Sequence, residues 1–174
     1  NNKLTIASEI KRAINENEFE LFLQPQYDLA TGSLLGAEGL IRWNHPQKGF
    51  LTPDKFIPLA ESTGAIKLIT AWVVDEVFEI VNQWRSEKRD LNLSFNVSAL
   101  EFADKDLFTR IMQKSKIHPE ASHYLTIEIV ESALVEHLDF AKDILHNLRQ
   151  EGFKVASDDF GTGFSSLSYL AQLP

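Results

Sequence analysis

Two hydrophobic periods alternate along this chain, and their alternation restricts its fold more than any single motif. Leu91, Leu93, Phe95 and Val97 repeat at every second position, as a half-buried strand requires. Ile66, Ile69, Val73, Val77, Val81 and Trp84 instead recur at helical spacing, a stripe that must pack on something flat and apolar. The same reading predicts a helix through Ile6, Ile10, Ala13 and Ile14 behind a Thr5 cap, an extended segment over Phe19 to Leu29, and a strand over Leu34 to Trp43. The short turn Ala30-Thr31-Gly32-Ser33 makes these first two strands an antiparallel hairpin. Thr52-Pro53-Asp54 supplies a cap and a helix-start proline, and Gly64 stops that helix. Further on come a helix around Leu107, Phe108, Ile111 and Met112, a strand over Tyr124 to Val130, a helix through Ile144 and Leu148, and a strand over Phe153 to Asp158. Strand followed by helix, repeated, indicates an α/β fold with parallel strands and crossover helices.

The 174 residues are 44% hydrophobic and 24% charged, enough for one core. A net charge of -8 disfavours a nucleic-acid polymer as partner, because such binding needs many Lys and Arg contacts to phosphates. With no cysteine, disulfides and thiolate metal sites are excluded. No apolar run reaches the length of a membrane span and the amino terminus lacks a signal-peptide pattern, so no membrane contact is expected of this domain.

Strand parity gathers the polar residues. Asn92, Ser94, Asn96 and Ser98 oppose the apolar face of their strand; Glu128 opposes Leu125, Ile127 and Ile129; Glu38 lies with Gly36, Leu40 and Arg42 opposite Leu35, Ala37 and Ile41. If the sheet curls into a barrel, Glu38, Asn96, Glu128 and Asp158 ring its carboxyl-terminal rim, where barrel active sites form. Oxygen donors without histidine or cysteine suit a hard cation, Mg²⁺ or Mn²⁺, rather than zinc. Each residue also has a structural reading: Glu38 paired with Arg42, Asn96 capping a turn, Glu128 paired with a lysine. The five histidines show no metal-site spacing and read as surface or packing residues.

The segment Asp158-Asp159-Phe160-Gly161-Thr162-Gly163-Phe164-Ser165-Ser166 sets two adjacent carboxylates where the last strand ends. Neighbouring carboxylates repel, and a divalent ion compensates them naturally, although an acidic strand-to-helix turn has the same sequence. Gly161 and Gly163 permit close backbone approach to a ligand, while Ser165 or Ser166 can cap a following helix.

Glu38-Gly39-Leu40 with Ile41-Arg42-Trp43 and His45-Pro46 resembles the signature of the EAL domain, a bacterial cyclic-di-GMP phosphodiesterase. Gln24-Pro25, Phe56-Ile57-Pro58-Leu59-Ala60-Glu61, Thr63-Gly64, Trp72-Val73, Asn96-Val97-Ser98, Glu128-Ile129-Val130-Glu131 and the run from Asp158 to Pro174 follow that family's order over the whole chain. The resemblance implies a TIM-like (β/α) barrel with an antiparallel first strand, and hydrolysis of cyclic di-GMP to linear pGpG with two Mg²⁺ or Mn²⁺ ions. Carried over by position, Glu38, Asn96, Glu128 and Asp158 resemble its metal ligands, and Asp159 a second-ion ligand or water-orienting acid; Glu38, Asp158 and Asp159 are the catalytic candidates. Glu131 resembles the anchor of the Asp158 to Ser166 loop, and Gln24, Leu40 and Arg42 its substrate contacts. Gly39 replaces the usual alanine, and Phe164 the common tyrosine.

Such a barrel takes about 250 residues, so residues 1–174 are expected to form its amino-terminal portion without the final strands, incomplete as given and with little or no activity alone. The start at Asn1 suggests a piece of a longer polypeptide. The resemblance further implies a homodimer, an upstream sensory or GGDEF domain, and a cytoplasmic setting, as a free protein or the cytoplasmic part of a membrane-anchored one. An EAL module that binds cyclic di-GMP or a protein without hydrolysing it is the alternative. A glycoside hydrolase fits less well, since Asn96 among the acids and the Asp-Asp pair favour metal.

Overall fold

The computed structural model describes residues 2–98, 101, 104–129 and 138–157. Helix α1 (Asn2–Asn15) opens the chain, and Ile6, Ile10 and Ala13 line its buried face. Because the helix starts at Asn2, Thr5 lies inside its first turns instead of capping it. Asn17, at a positive φ of 58°, turns the chain into strand β1 (Phe19–Tyr27). At this corner Glu18 accepts hydrogen bonds from Arg12 Nε at 3.0 Å and from the Trp43 indole at 2.9 Å. Phe19, Trp43 and Phe56 pack their rings with centroids 5.2–6.0 Å apart, closing one end of the core.

Strand β2 (Leu34–His45) pairs antiparallel with β1 as the hairpin reading predicts, with Gln24 opposite Glu38 and Phe22 opposite Leu40. The turn is held by Asp28, whose carboxylate accepts from the Ala30 amide at 2.8 Å. A three-residue strand β3 (Gly49–Leu51), not expected from the sequence, folds back on β2. Pro53–Lys55 forms a single 3-10 turn, and the Thr52 hydroxyl donates to Asp54 instead of capping a backbone amide; the α-helical segment α2 (Ile57–Thr63) begins only afterwards. Gly64 ends α2 at φ 80°, a conformation costly for any residue with a Cβ.

Helix α3 (Ile66–Ser86) buries Ile66, Ile69, Val73, Val77 and Val81, while Trp84 is partly buried. These residues share one core with Leu93, Phe95 and Val97 of β4 (Asn92–Val97), so the long stripe finds its flat apolar partner. Helix α4 (Lys105–Ile117) is capped by Asp104, which accepts from the Asp106 amide at 2.9 Å. It is followed by β5 (Leu125–Ile129), α5 (Leu138–Gln150) and β6 (Lys154–Ser157).

The main sheet runs β1-β2-β4-β5-β6, with β2, β4, β5 and β6 parallel and β1 antiparallel. Gly36 makes the β2–β4 junction possible: a Cβ there would lie 1.9 Å from the Asn92 carbonyl oxygen. Of the histidines, His45 is buried, tilted against Trp43 with ring centroids 5.0 Å apart and bonded to Glu9 at 3.0 Å, a packing role. Among the described residues no helix is long and apolar enough to cross a membrane.

Candidate functional site

Alternation along β2 places Gly36, Glu38, Leu40 and Arg42 on the face opposite the buried Ala37, Ile41 and Trp43. On β4 the same rule sends Leu93, Phe95 and Val97 to the core and Ser94 and Asn96 to the other face. A polar ladder continues onto β5, where the Asn92 amide donates to Thr126 Oγ1 at 2.9 Å and Asn96 stands in register with Glu128.

The site is assembled at the next step up the sheet. Glu38 is in register with Ser94, yet its carboxylate reaches forward to accept a hydrogen bond from Asn96 Nδ2 at 3.3 Å. Asn96 is exposed, Glu38 half-buried and Glu128 buried, so the group grades from solvent into the sheet. Gln24 lies opposite Glu38 on β1 and is exposed. Leu40 and Arg42 follow Glu38 on the same strand and face. The Arg42 guanidinium sits 5.6 Å over the ring of Phe22 and donates from Nη1 to the Ile41 carbonyl at 2.9 Å. Phe50 of β3 supports Phe22 at a centroid distance of 5.5 Å.

Three strands thus bring Gln24, Glu38 and Asn96 together, with Glu128 beside Asn96 on a fourth. Asp158, Asp159 and Glu131 lie outside the described residues. The described donor set is two carboxylates and an amide, oxygen ligands of the kind a hard cation takes. The Glu38–Asn96 bond is compatible with that use: an amide that donates its N–H to a carboxylate keeps its oxygen for a cation. Among the described residues no three His, Cys, Asp or Glu side chains cluster as a metal site.

Beside the site a cavity of about 310 Å³ opens between the sheet and helices α2 and α3, lined by Leu40, Ile57, Ile69, Thr70, Asn96 and Glu101 among others. Glu101 is only 2% exposed. Burial pushes its carboxyl pKa up to about 7, helped by the nearby charges of Asp104 and Glu61 and opposed by hydrogen bonds from Thr70 and the backbone beside Ser98. Sequence reasoning missed Glu101, Thr70 and the Phe22–Phe50 pair, and assigned no role to Glu61. The one available signal was an acid, Glu101, set between apolar Leu100 and Phe102.

The EAL domain profile matches residues 7–174. MucR of Pseudomonas aeruginosa, a bifunctional diguanylate cyclase/cyclic di-GMP phosphodiesterase, is 36% identical over 173 residues, covering 99% of this chain and 25% of that protein. The oxygen sensor protein DosP of Escherichia coli is 39% identical over 173 residues, covering 99% of this chain and 22% of that protein. The chain therefore spans about a quarter of the length of these curated relatives. The structure of the PaMucR phosphodiesterase in complex with c-di-GMP superimposes with a TM-score of 0.88 at 36% identity, over 98% of this chain and 69% of that one. The mixed α/β architecture with its antiparallel first strand is accordingly the TIM-like fold of that domain. Signature residues, sheet order and these likenesses agree: the chain belongs to the EAL domain family.

Proposed function

We propose that this chain is part of a metal-dependent phosphodiesterase that hydrolyses cyclic di-GMP to linear pGpG. The observation that carries the reading is the convergence of Glu38 and Asn96 at 3.3 Å with Glu128 next in register, an oxygen-only donor set from three parallel strands. The likeness to the c-di-GMP complex of PaMucR supports the substrate. Glu38, Asn96 and Glu128, with Asp158 and Asp159, would hold Mg²⁺ or Mn²⁺, two ions in all. A divalent ion in such a site supplies an acidified water and neutralises charge on phosphate oxygens.

The chain's own side chains bind and orient the nucleotide. Arg42, held between the Phe22 ring and the Ile41 carbonyl, presents its guanidinium N–H groups to a phosphate oxygen as a pre-aimed fork. Gln24, exposed beside Glu38, offers amide donors and an acceptor to the sugar or base, and Leu40 gives an apolar surface for a base. Glu131 would anchor the loop that carries the two aspartates, as the family resemblance implies. The chain covers 69% of the PaMucR phosphodiesterase on which it superimposes, so turnover is assigned to the full-length protein. The names of MucR and DosP support a neighbouring cyclase or sensor domain, and a cytoplasmic setting is part of the same proposal. A homodimer completes the proposed assembly.

The test is Mg²⁺- or Mn²⁺-dependent production of pGpG by the full-length protein and by its Glu38→Ala variant. Turnover lost in the variant supports the reading, and unchanged turnover removes Glu38 from the site. Binding of cyclic di-GMP with no hydrolysis in either protein would assign the domain to nucleotide sensing.

A further inference from the structure

Asn96 is the penultimate residue of β4, so its aim depends on how the chain leaves that strand. Two side-chain hydrogen bonds tie the exit to the preceding helices. Ser98 Oγ donates to Glu61 Oε2 on α2 at 2.9 Å, and Thr70 Oγ1 on α3 donates to Glu101 Oε2 at 2.5 Å. Backbone bonds from Glu101 N to the Ser98 carbonyl at 3.0 Å and from Asp104 N to the Glu101 carbonyl at 2.9 Å link these anchors to each other and to the start of α4. We propose that Glu101 is a positioning residue for Asn96: through Thr70 it latches the end of β4 to α3, with Glu61 and Ser98 as the companion latch to α2. The inference rests on the reading of Asn96 as a metal ligand.

The state of Glu101 matters to the latch. Its Oε1 is buried with no hydrogen-bond partner, and Glu101 lines the same cavity as Asn96, Ser98 and Thr70. An ionised carboxylate with one oxygen unpaired in such a place is costly, whereas a neutral acid keeps the Thr70 bond at little expense. The acids around it point the same way, while two cations, Lys67 of α3 and Arg110 of α4, share a pocket with Glu101, Asp104 and Asp106 and oppose them. Glu61 from α2 and Asp104 at the start of α4 both disfavour a negative Glu101, although Lys67 of α3 pairs with Asp104 at 3.5 Å and partly offsets the latter. Burial puts the pKa at about 7. As pH rises past that value the acid ionises against its burial first and the charges of Asp104 and Glu61 second, with the Thr70 bond resisting, and the strain of holding a buried charge loosens the exit of β4. Metal affinity therefore falls on the alkaline side.

Titration calorimetry of Mn²⁺ into the full-length protein, without nucleotide and between about pH 6 and pH 8.5, tests this. Thr70→Val removes the donor at nearly constant volume and is expected to weaken Mn²⁺ binding about 10- to 100-fold, the effect typical of losing a partner that orients a ligand. Glu101→Gln stays neutral and still accepts from Thr70, so it is expected to bind like the parent near pH 6 and to lack the alkaline fall. A residue that merely supports the fold would change the melting temperature and leave both metal readouts alone. Unchanged affinity in Thr70→Val, or a Glu101→Gln profile that follows the parent, overturns the latch; if Thr70→Val does not fold, the Glu101→Gln profile decides. Asn96→Ala separates the two readings. If it weakens Mn²⁺ binding while the Thr70 and Glu101 variants do not, only the latch fails, and if it has no effect, the ligand reading fails and takes the latch with it.

Discussion

Replacing Glu101 by Gln should make the protein more stable than its parent at neutral and alkaline pH, and slightly less stable in acid. The carboxyl is 2% exposed and its pKa is raised from 4.5 to about 7, chiefly by burial. A group whose folded pKa lies above its unfolded value binds more protons in the native state throughout that window. Stability is therefore lost as pH climbs from 4.5 through about 7, and the full penalty persists above it. At about 1.4 kcal/mol per pKa unit the penalty is about 3 kcal/mol. Gln titrates nowhere in this range, but its buried amide N–H groups meet few acceptors, which returns about 1 kcal/mol of the gain. Urea unfolding of both proteins at a series of pH values isolates the effect, because all other titrating groups cancel in the difference. The Gln cost is the same at every pH, so the variant should be about 1 kcal/mol less stable than the parent in acid and gain about 3 kcal/mol on it across the window, a net advantage of about 2 kcal/mol above pH 7. A difference that stays flat from acid to pH 8 would refute the buried, neutral acid at this position.

Gly36→Ala should be among the most damaging small substitutions. Its Cβ would stand 1.9 Å from the Asn92 carbonyl oxygen, so β2 and β4 must part; a loss of about 3 kcal/mol, seen as a fall of about 6 to 12 °C in melting temperature, is expected. Gly39→Ala restores the methyl usual in the family, and meets only the flexible Leu21 side chain, with Cδ2 at 3.0 Å. Its effect on chemical unfolding should stay within about 1 kcal/mol. Asp104→Ala deletes the cap of α4 and the partner of Lys67, and should cost about 1 kcal/mol by the same assay.

Local periodicity carried much of the fold. The stripe from Ile66 to Val81 could only be a helix against a sheet, Gly64 could only end one, and the hairpin followed from a turn between two alternating segments. Parity also put Glu38, Asn96 and Glu128 on one face, since side chains two apart on a strand point the same way. Where local rules ran out, the readings failed. Thr5 has the chemistry of a cap, but the helix gains turns ahead of it, and the three residues of β3 are too few to show a period.

The sequence by itself therefore determined the order of strands and helices, the family, and which polar residues share a face, because these depend on spacing along a few neighbouring positions. Only the tertiary structure decided that Glu38 meets Asn96 across 58 positions, that Glu101 is buried against Thr70 across 31, and that Glu18 joins Arg12 to Trp43. Contact and burial between distant segments follow from how the layers pack, and it is burial that turns an ordinary glutamate into an acid half-protonated near pH 7.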